Sequence, residues 1–246
     1  MKPLRIALTK GRLEDSTVEL FERMGFDCEG LRNKGRKLVL TIPDANIQVV
    51  LAKANDVITY VERGVCDLGV VGKDTIMEIG RSFYEMLDLG FGRCRFALAN
   101  KKGEDFYQGY HAKVIATKYP NVARAYFKQK GMDIDVVKIE GSVELAPLLG
   151  LSDGIVDLVE TGTTLKENGL EVKEYIADIS ARLIANVASM KMRKGEIDKL
   201  LSSMEEALKQ KSAREEKQAE ASKKEEAGKP GTEVETTGQE GRSAIS

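Results

Sequence analysis

The sequence is short of the residues that most often carry proton relays and metal sites. It holds a single histidine, His111, which leaves no basis for a histidine-built metal site or a pair of histidines trading a proton. Its polar setting, Tyr107-Gln108-Gly109-Tyr110-His111, reads as an exposed loop. The three cysteines, Cys28, Cys66 and Cys94, form no CxxC pair, so neither a disulfide framework nor a zinc cluster is expected, only small buried thiols in a reducing compartment. No apolar run approaches the ~18 residues of a membrane span. Met1-Lys2-Pro3-Leu4-Arg5 leads into a short apolar strand rather than the apolar region of a signal peptide, so a cytoplasmic protein with no membrane attachment is expected. Nor is there an excess of one charge: 38 basic against 39 acidic residues offer no broad cationic field for nucleic acid, and phosphate recognition has to be local.

What is present is enough apolar material for a sizeable core, 42% of the chain, in one large or two small domains. Up to Leu208 apolar runs alternate with helical patterns, which predicts α/β architecture with largely parallel sheets. Strands are expected at Leu4–Thr9, Leu38–Ile42, Ile47–Ala52 and Asp67–Gly72, with helices through Ser16–Met24 and, capped by Asn55, through Asp56–Glu62. A second group follows: strands Arg95–Ala99, Lys113–Thr117, Asp135–Ile139 and Ile155–Val159, with helices Tyr119–Lys130 and Val143–Leu148. A strand Arg182–Val187 and a helix Gly195–Leu208 are expected to return to the first group. The pattern suggests two lobes facing a cleft: residues 1–93 with 179–208, and residues 94–178. From Lys209 to Ser246 there is no aromatic residue, while Lys/Arg and Glu occur eight times each. That segment reads as a charged, disordered tail; Ser212–Glu226 could prolong the last helix until Gly228-Lys229-Pro230-Gly231 stops it.

The chemistry concentrates in Ile155-Val156-Asp157-Leu158-Val159-Glu160-Thr161-Gly162-Thr163-Thr164-Leu165. An apolar strand with acids runs into a Thr/Gly loop and a short helix. Backbone N–H groups, hydroxyls and a helix N-terminus suit a phosphate monoester, and Gly162 lets the backbone come close. Acids beside a phosphate make sense if the ligand is a phosphorylated ribose, its 5-phosphate on the loop and its 2- and 3-hydroxyls on Asp157 and Glu160. An ordinary strand, turn and helix start with solvated acids is the plain alternative.

Glu144, Gly150, Ser152, Ile155, Asp157, Leu158, Thr161, Gly162, Thr164 and Leu165 match the whole signature of ATP phosphoribosyltransferases, which this chain therefore resembles. Lys10-Gly11-Arg12-Leu13, Asp67 to Asp74, Gly92-Arg93-Cys94-Arg95 and Gly141-Ser142-Val143-Glu144 extend the likeness over residues 1–208. The resemblance implies a two-lobed fold like a type II periplasmic binding protein, with the active site between the lobes. It implies condensation of ATP with phosphoribosyl pyrophosphate to N1-(5-phosphoribosyl)-ATP and pyrophosphate, the first step of histidine biosynthesis, with Mg2+ carried by the substrates' phosphates. With no long-form regulatory domain after Leu208, it implies a short form: a homodimer within a hetero-oligomer, partnered by a separate regulatory subunit resembling a histidyl-tRNA synthetase.

Such a reaction needs alignment and charge stabilisation rather than a covalent nucleophile. Glu144, Asp157, Glu160, Thr161, Gly162, Thr163 and Thr164 are the candidates for the sugar phosphate. Lys10, Gly11 and Arg12, at the mouth of the first strand where open α/β sheets bind ligands, are candidates for ATP together with Asp74, which reads equally as a helix N-cap. Arg12, Arg36 and Lys53 are the candidate catalytic cations. Short-form relatives usually carry arginine where Lys53 stands, and lysine lacks the two-pronged grip of a guanidinium. Arg93 and Arg95 read as interface charges at a glycine-bearing crossing between the lobes. A two-lobed small-anion binding or sensor module without turnover is the alternative.

Overall fold

The computed structural model describes residues 2–80 and 82–227, with side chains up to 211 in the last helix. The first sheet is built from β1 (Leu4–Thr9), β2 (Val39–Ile42), β3 (Ile47–Ala52), β4 (Leu68–Gly72) and β5 (Tyr84–Asp88), with α1 (Arg12–Arg23), α2 (Glu29–Arg32), α3 (Ala54–Glu62) and α4 (Lys73–Ile79) between them. The second takes β6 (Cys94–Lys101), β7 (Lys113–Thr117), β8 (Ile134–Lys138), β9 (Gly154–Val159) and β10 (Leu170–Ile179), with α5 (Pro120–Gln129), α6 (Leu145–Leu148) and α7 (Thr163–Glu167). Then β11 (Ala181–Ala185), α8 (Val187–Met192) and α9 (Lys194–Ala227) follow. The sheet orders are β2-β3-β1-β4-β11-β5 and β10-β6-β9-β7-β8.

Strand alternation sorts side chains to two faces of each sheet. Ile6 and Leu8 of β1 pack with Leu20 and Phe21 of α1 and with Ile197, Leu200 and Met204 of α9, while Ala7 turns to Val57 and Val61 of α3. In the second sheet Phe96 and Leu98 meet Phe127 of α5, and Ala97 and Ala99 meet Val143 and Leu165. Burial on both faces explains why β1, β4 and β6 read as near-continuous apolar runs. Residues 1–208 form one compact unit. Among the described side chains the buried stripe of α9 runs to Ala207 with Leu208 partly buried beside it, and the described chain continues as helix to Ala227. The expected stop at Gly228-Lys229-Pro230-Gly231 lies outside the described residues.

Two short passages join the sheets, at residues 89–93 and at Ser180. Asp88 holds both: its Oδ1 accepts from the Gly90 N–H at 2.9 Å and from the Ser180 hydroxyl at 2.8 Å. At this crossing Arg93 donates to the Gly90 carbonyl at 2.8 Å, and the Arg95 guanidinium lies 3.5 Å over the Tyr175 ring.

The sheets are mixed rather than largely parallel. β1 runs parallel to β3 and β4, and β7 to β8 and β9, but β2, β5, β6, β10 and β11 run against their neighbours. The apolar runs that mark buried strands carry no direction, and the crossings between sheets reverse the chain. β5 and β10 escape periodicity because both are sheet edges with charged residues along them. Asn55 is not a cap. Lys53, still extended at φ −74 and ψ 154, holds that position, its carbonyl accepting from Asp56 and Val57. The strand expected to reach Val187 ends at Ala185 because Asn186 caps α8, its Oδ1 accepting from the Ala188 and Ser189 N–H groups at 3.0 and 2.9 Å.

Candidate active site

The parallel strands of each sheet end at the same hollow. Register Thr9↔Ala52 places the next residues, Lys10 after β1 and Lys53 after β3, side by side, and Asp74 follows β4 in the first turn of α4. In the second sheet Lys118 follows β7 and Lys138 ends β8, in register Thr117↔Lys138. These five residues, with Tyr119, line a cleft of about 880 Å3. Open α/β sheets bind ligands at the carboxyl ends of their strands, and here two sheets present those ends to each other.

Hydrogen bonds cross the cleft between the lobes. The Tyr119 hydroxyl donates to Asp74 Oδ2 at 3.2 Å, and burial together with the Asp74 charge holds its phenol well above the usual range. Asp74 is thus a first-turn residue of α4 that reaches the other lobe, while Gly72 takes the N-cap position. Beside it, Glu78 Oε2 accepts from the backbone N–H groups of Asn121 at 3.0 Å and Val122 at 3.1 Å, and the Asn121 side chain donates to the Glu78 carbonyl at 2.9 Å. One carboxylate of α4 therefore serves the unpaired first turn of α5. Burial raises the Glu78 pKa against the lowering effect of these N–H groups.

A third link is the ion pair of Arg12 and Glu160 at 3.0 Å. Gly11, at φ 93, turns the chain from β1 into α1 and so aims Arg12. Glu160 opens the hydroxyl loop. There Gly162, left-handed at φ 78, caps α7, the Thr161 and Thr163 hydroxyls lie 3.0 Å apart, and Thr161, Thr163 and Thr164 are exposed. The loop leaves its hydroxyls open to solvent, as a phosphate site requires.

Asp157 is half-buried in β9. Its pKa is pushed up to about 6, first by burial, against a lowering hydrogen bond from the Leu158 N–H; Glu144 raises it further and Lys118 lowers it. Glu144 sits at the N-cap of α6. Asp157 thus has a carboxylate and an ammonium as electrostatic neighbours.

Of the residues singled out from the sequence, Lys10, Lys53 and Asp74 line the cleft; Gly11, Arg12, Glu144, Asp157, Glu160 and Thr161 to Thr164 are not among its lining residues, Arg12 and Glu160 pairing between the lobes and Glu144 acting on Asp157. Arg36 stands in the exposed turn before β2 and is not among the residues lining that cleft. His111 is exposed, its Nε2 3.0 Å from Asp153 Oδ1. Burial pushes the thiols of Cys28, Cys66 and Cys94 up to about 11, outside the nucleophilic range. Sequence reasoning missed Lys118, Tyr119 and Glu78. The strand-end argument that selected Lys10 selects Lys118 equally, since it directly follows Lys113–Thr117, whereas nothing local marks Glu78.

The family model "HisG: ATP phosphoribosyltransferase" matches residues 53–206. An ATP phosphoribosyltransferase of Clostridium kluyveri is 58% identical over 204 residues, covering 83% of this chain and 93% of that protein. Among solved structures, the ATP phosphoribosyl transferase (HisG:HisZ) complex from Thermotoga maritima superposes with a TM-score of 0.72 at 34% identity, over 84% of this chain and 99% of the other. The periplasmic aliphatic sulphonate binding protein of Escherichia coli shares the fold, with a TM-score of 0.55 at 14% identity over 88% of this chain and 76% of that one. The chain belongs to the ATP phosphoribosyltransferase family.

Proposed function

We propose that the cleft between the two sheets is where this ATP phosphoribosyltransferase, the enzyme of the first step of histidine biosynthesis, joins ATP to phosphoribosyl pyrophosphate. The observation that carries the reading is that lysines at the strand ends of the first sheet share one cleft with Lys118 and Tyr119 of the second, while the half-buried Asp157 and the hydroxyl-rich loop stand on and after β9, the strand beside β7. In this reading residues 1–93 with 179–208 form the ATP lobe and residues 94–178 the sugar-phosphate lobe. Lys10, Gly11, Arg12 and Asp74 hold ATP. Asp157 and Glu160 take the ribose hydroxyls, Thr161 to Thr164 take the 5-phosphate, and Glu144 supports Asp157.

The N1 lone pair of adenine forms the new bond to the anomeric carbon while the C1–O bond breaks and its electron pair leaves with pyrophosphate. The protein's work is to bring the two groups into line and to meet the departing charge with cations, for which Arg12, Arg36 and Lys53 are the proposed catalytic set. Among the described residues no three His, Cys, Asp or Glu side chains gather as a metal site. The cleft still fits Mg2+ arriving on phosphates, because that ion keeps several waters and needs only one or two carboxylates; Asp74 is the carboxylate we assign. When bound, Mg2+ neutralises phosphate charge.

The solved Thermotoga maritima relative is a HisG:HisZ complex, which supports a separate partner subunit; in this reading the short-form chain is a homodimer and its partner a synthetase-like regulatory subunit. No helix among the described residues is long and apolar enough to cross a membrane, in keeping with a cytoplasmic site of action. Incubation with ATP, phosphoribosyl pyrophosphate and Mg2+, following the ultraviolet change of the adenine ring, tests the reading. Binding of the sugar phosphate without turnover, with and without the regulatory subunit, would turn it toward a sensor.

A further inference from the structure

Lys118 is the second-sheet counterpart of Lys10 and Lys53 in the cleft. It is exposed, and among the described residues no hydrogen bond or ion pair engages its ammonium, whereas Lys138 on the next strand is held by Glu140 at 2.7 Å. Its neighbour is set by topology. β7 and β9 are adjacent and parallel, with Ala116 opposite Ile155. Two residues further along each strand come Lys118 and Asp157, on strands ~4.8 Å apart. The Lys118 charge accordingly acts on Asp157, favouring its ionised form.

The other flank of Asp157 is different. There β6 presents Ala97 in register with Asp157, an apolar, uncharged position. The hydroxyl loop that begins at Glu160 lies beyond the end of the same strand. If Asp157 receives the 2- and 3-hydroxyls of the ribose and the loop receives the 5-phosphate, the anomeric carbon, next to C2, points to a flank of Asp157. On the β6 flank Arg95, opposite Val159, is laid over the Tyr175 ring, whereas Lys118 beside β9 is the cation that acts on Asp157.

We propose that Lys118 binds the pyrophosphate carried on the anomeric carbon of the sugar substrate and holds it as the leaving group. This deepens the function proposed above and rests on its placement of the ribose at Asp157. As the C1–O bond breaks and its electron pair settles on the pyrophosphate oxygen, the ammonium meets negative charge where it develops. Lys10 remains with ATP on the opposite wall, and Lys53 beside it keeps its place in the catalytic set. Lys118 thus adds a second-lobe cation to those of the first lobe that meet the departing charge.

The test uses the full chain in four forms: wild type, Lys118→Ala, Lys118→Arg and Asp157→Asn. Titration with inorganic pyrophosphate and Mg2+ is set beside the KM of each substrate. Lys118→Ala should weaken pyrophosphate about tenfold or more, as loss of a charge-assisted contact does. It should raise the KM for phosphoribosyl pyrophosphate and leave that for ATP within about twofold, while Lys118→Arg recovers most of the loss. Because Lys118 is exposed, its two variants should melt with the wild type. Unchanged pyrophosphate affinity in Lys118→Ala, or an equal loss for ATP, overturns the proposal. If Asp157→Asn loses phosphoribosyl pyrophosphate in that case, the ribose placement stands and only Lys118 is misassigned; if Asp157→Asn also binds it normally, the placement falls too.

Discussion

Arg12 and Glu160, 148 positions apart in the chain, meet as an ion pair of 3.0 Å, with the Arg12 Nη1 donating to Glu160 Oε2. Each is assigned to a different substrate, so ligands entering the cleft compete with this pair. Both side chains are largely exposed, and such a pair contributes ~0–1 kcal/mol to stability. Arg12→Ala should therefore melt close to wild type while losing about 1.5–3 kcal/mol of kcat/KM for ATP. Glu160→Gln should free Arg12 and weaken phosphoribosyl pyrophosphate instead. Calorimetry and two-substrate kinetics check both; a destabilised but fully active Arg12→Ala would make the pair structural.

Asp157 predicts a pH dependence. Its folded carboxyl is pushed up to about 6, against an ordinary value of 3.8, so lowering the pH through about 6 protonates it and removes the anionic acceptor for the ribose hydroxyls. Affinity for phosphoribosyl pyrophosphate should fall below that pH, and this limb should be missing in Asp157→Asn, which loses more sugar-phosphate affinity than ATP affinity. Between 3.8 and about 6 the folded chain binds the extra proton. The Asp157 contribution to stability therefore declines as pH rises through this window, and Asp157→Asn should melt no lower than wild type at pH 8. Binding and melting curves from pH 4.5 to 8 decide the matter.

Lys53 follows β3 in extended conformation and borders the cleft. Lys53→Arg should keep or raise turnover, because a guanidinium grips two phosphate oxygens where the ammonium is a point charge. Lys53→Ala should lower turnover with little change in melting temperature. Wild-type activity in the alanine form would remove Lys53 from the catalytic set.

Glu78 should matter to the relation of the lobes. Glu78→Ala leaves the N–H groups of Asn121 and Val122 without their acceptor, a cost of about 1–3 kcal/mol if they stay buried. Small-angle scattering should show a more open molecule, with the KM of both substrates raised. Glu78→Gln keeps an acceptor oxygen and should fall between. An alanine form as compact and as stable as wild type would mean that the other contacts between α4 and α5 suffice.

Much of the fold was legible because backbone geometry acts over a few residues. Ile47–Ala52 and Lys113–Thr117 match the observed strands residue for residue, since their short apolar runs and flanking polar residues are local facts. β10 was not legible. Its run of Glu171, Lys173 and Glu174 looks solvated, yet antiparallel pairing with β6 makes it a strand. There the Glu174 carboxylate, bonded to Lys130, Tyr107 and Tyr126, is held down to about 2, a network drawn from three separate segments.

The same division runs through the active site. The sequence by itself determined the chemical inventory: the residues from Glu144 to Leu165 name the family, and the order of strand, acid, glycine and hydroxyls follows directly from the chain. Only the tertiary structure decided the electrostatics and the partners. The pKa of Asp157 depends on desolvation and on the nearness of Glu144 and Lys118, quantities that exist only once β7, β9 and α6 are packed. Glu78 reaches the first turn of α5 because two lobes meet, and Lys118 flanks Asp157 because β7 lies beside β9. Periodicity is written along the chain within a few residues, whereas distances between strands and between lobes are settled by the packing of the whole.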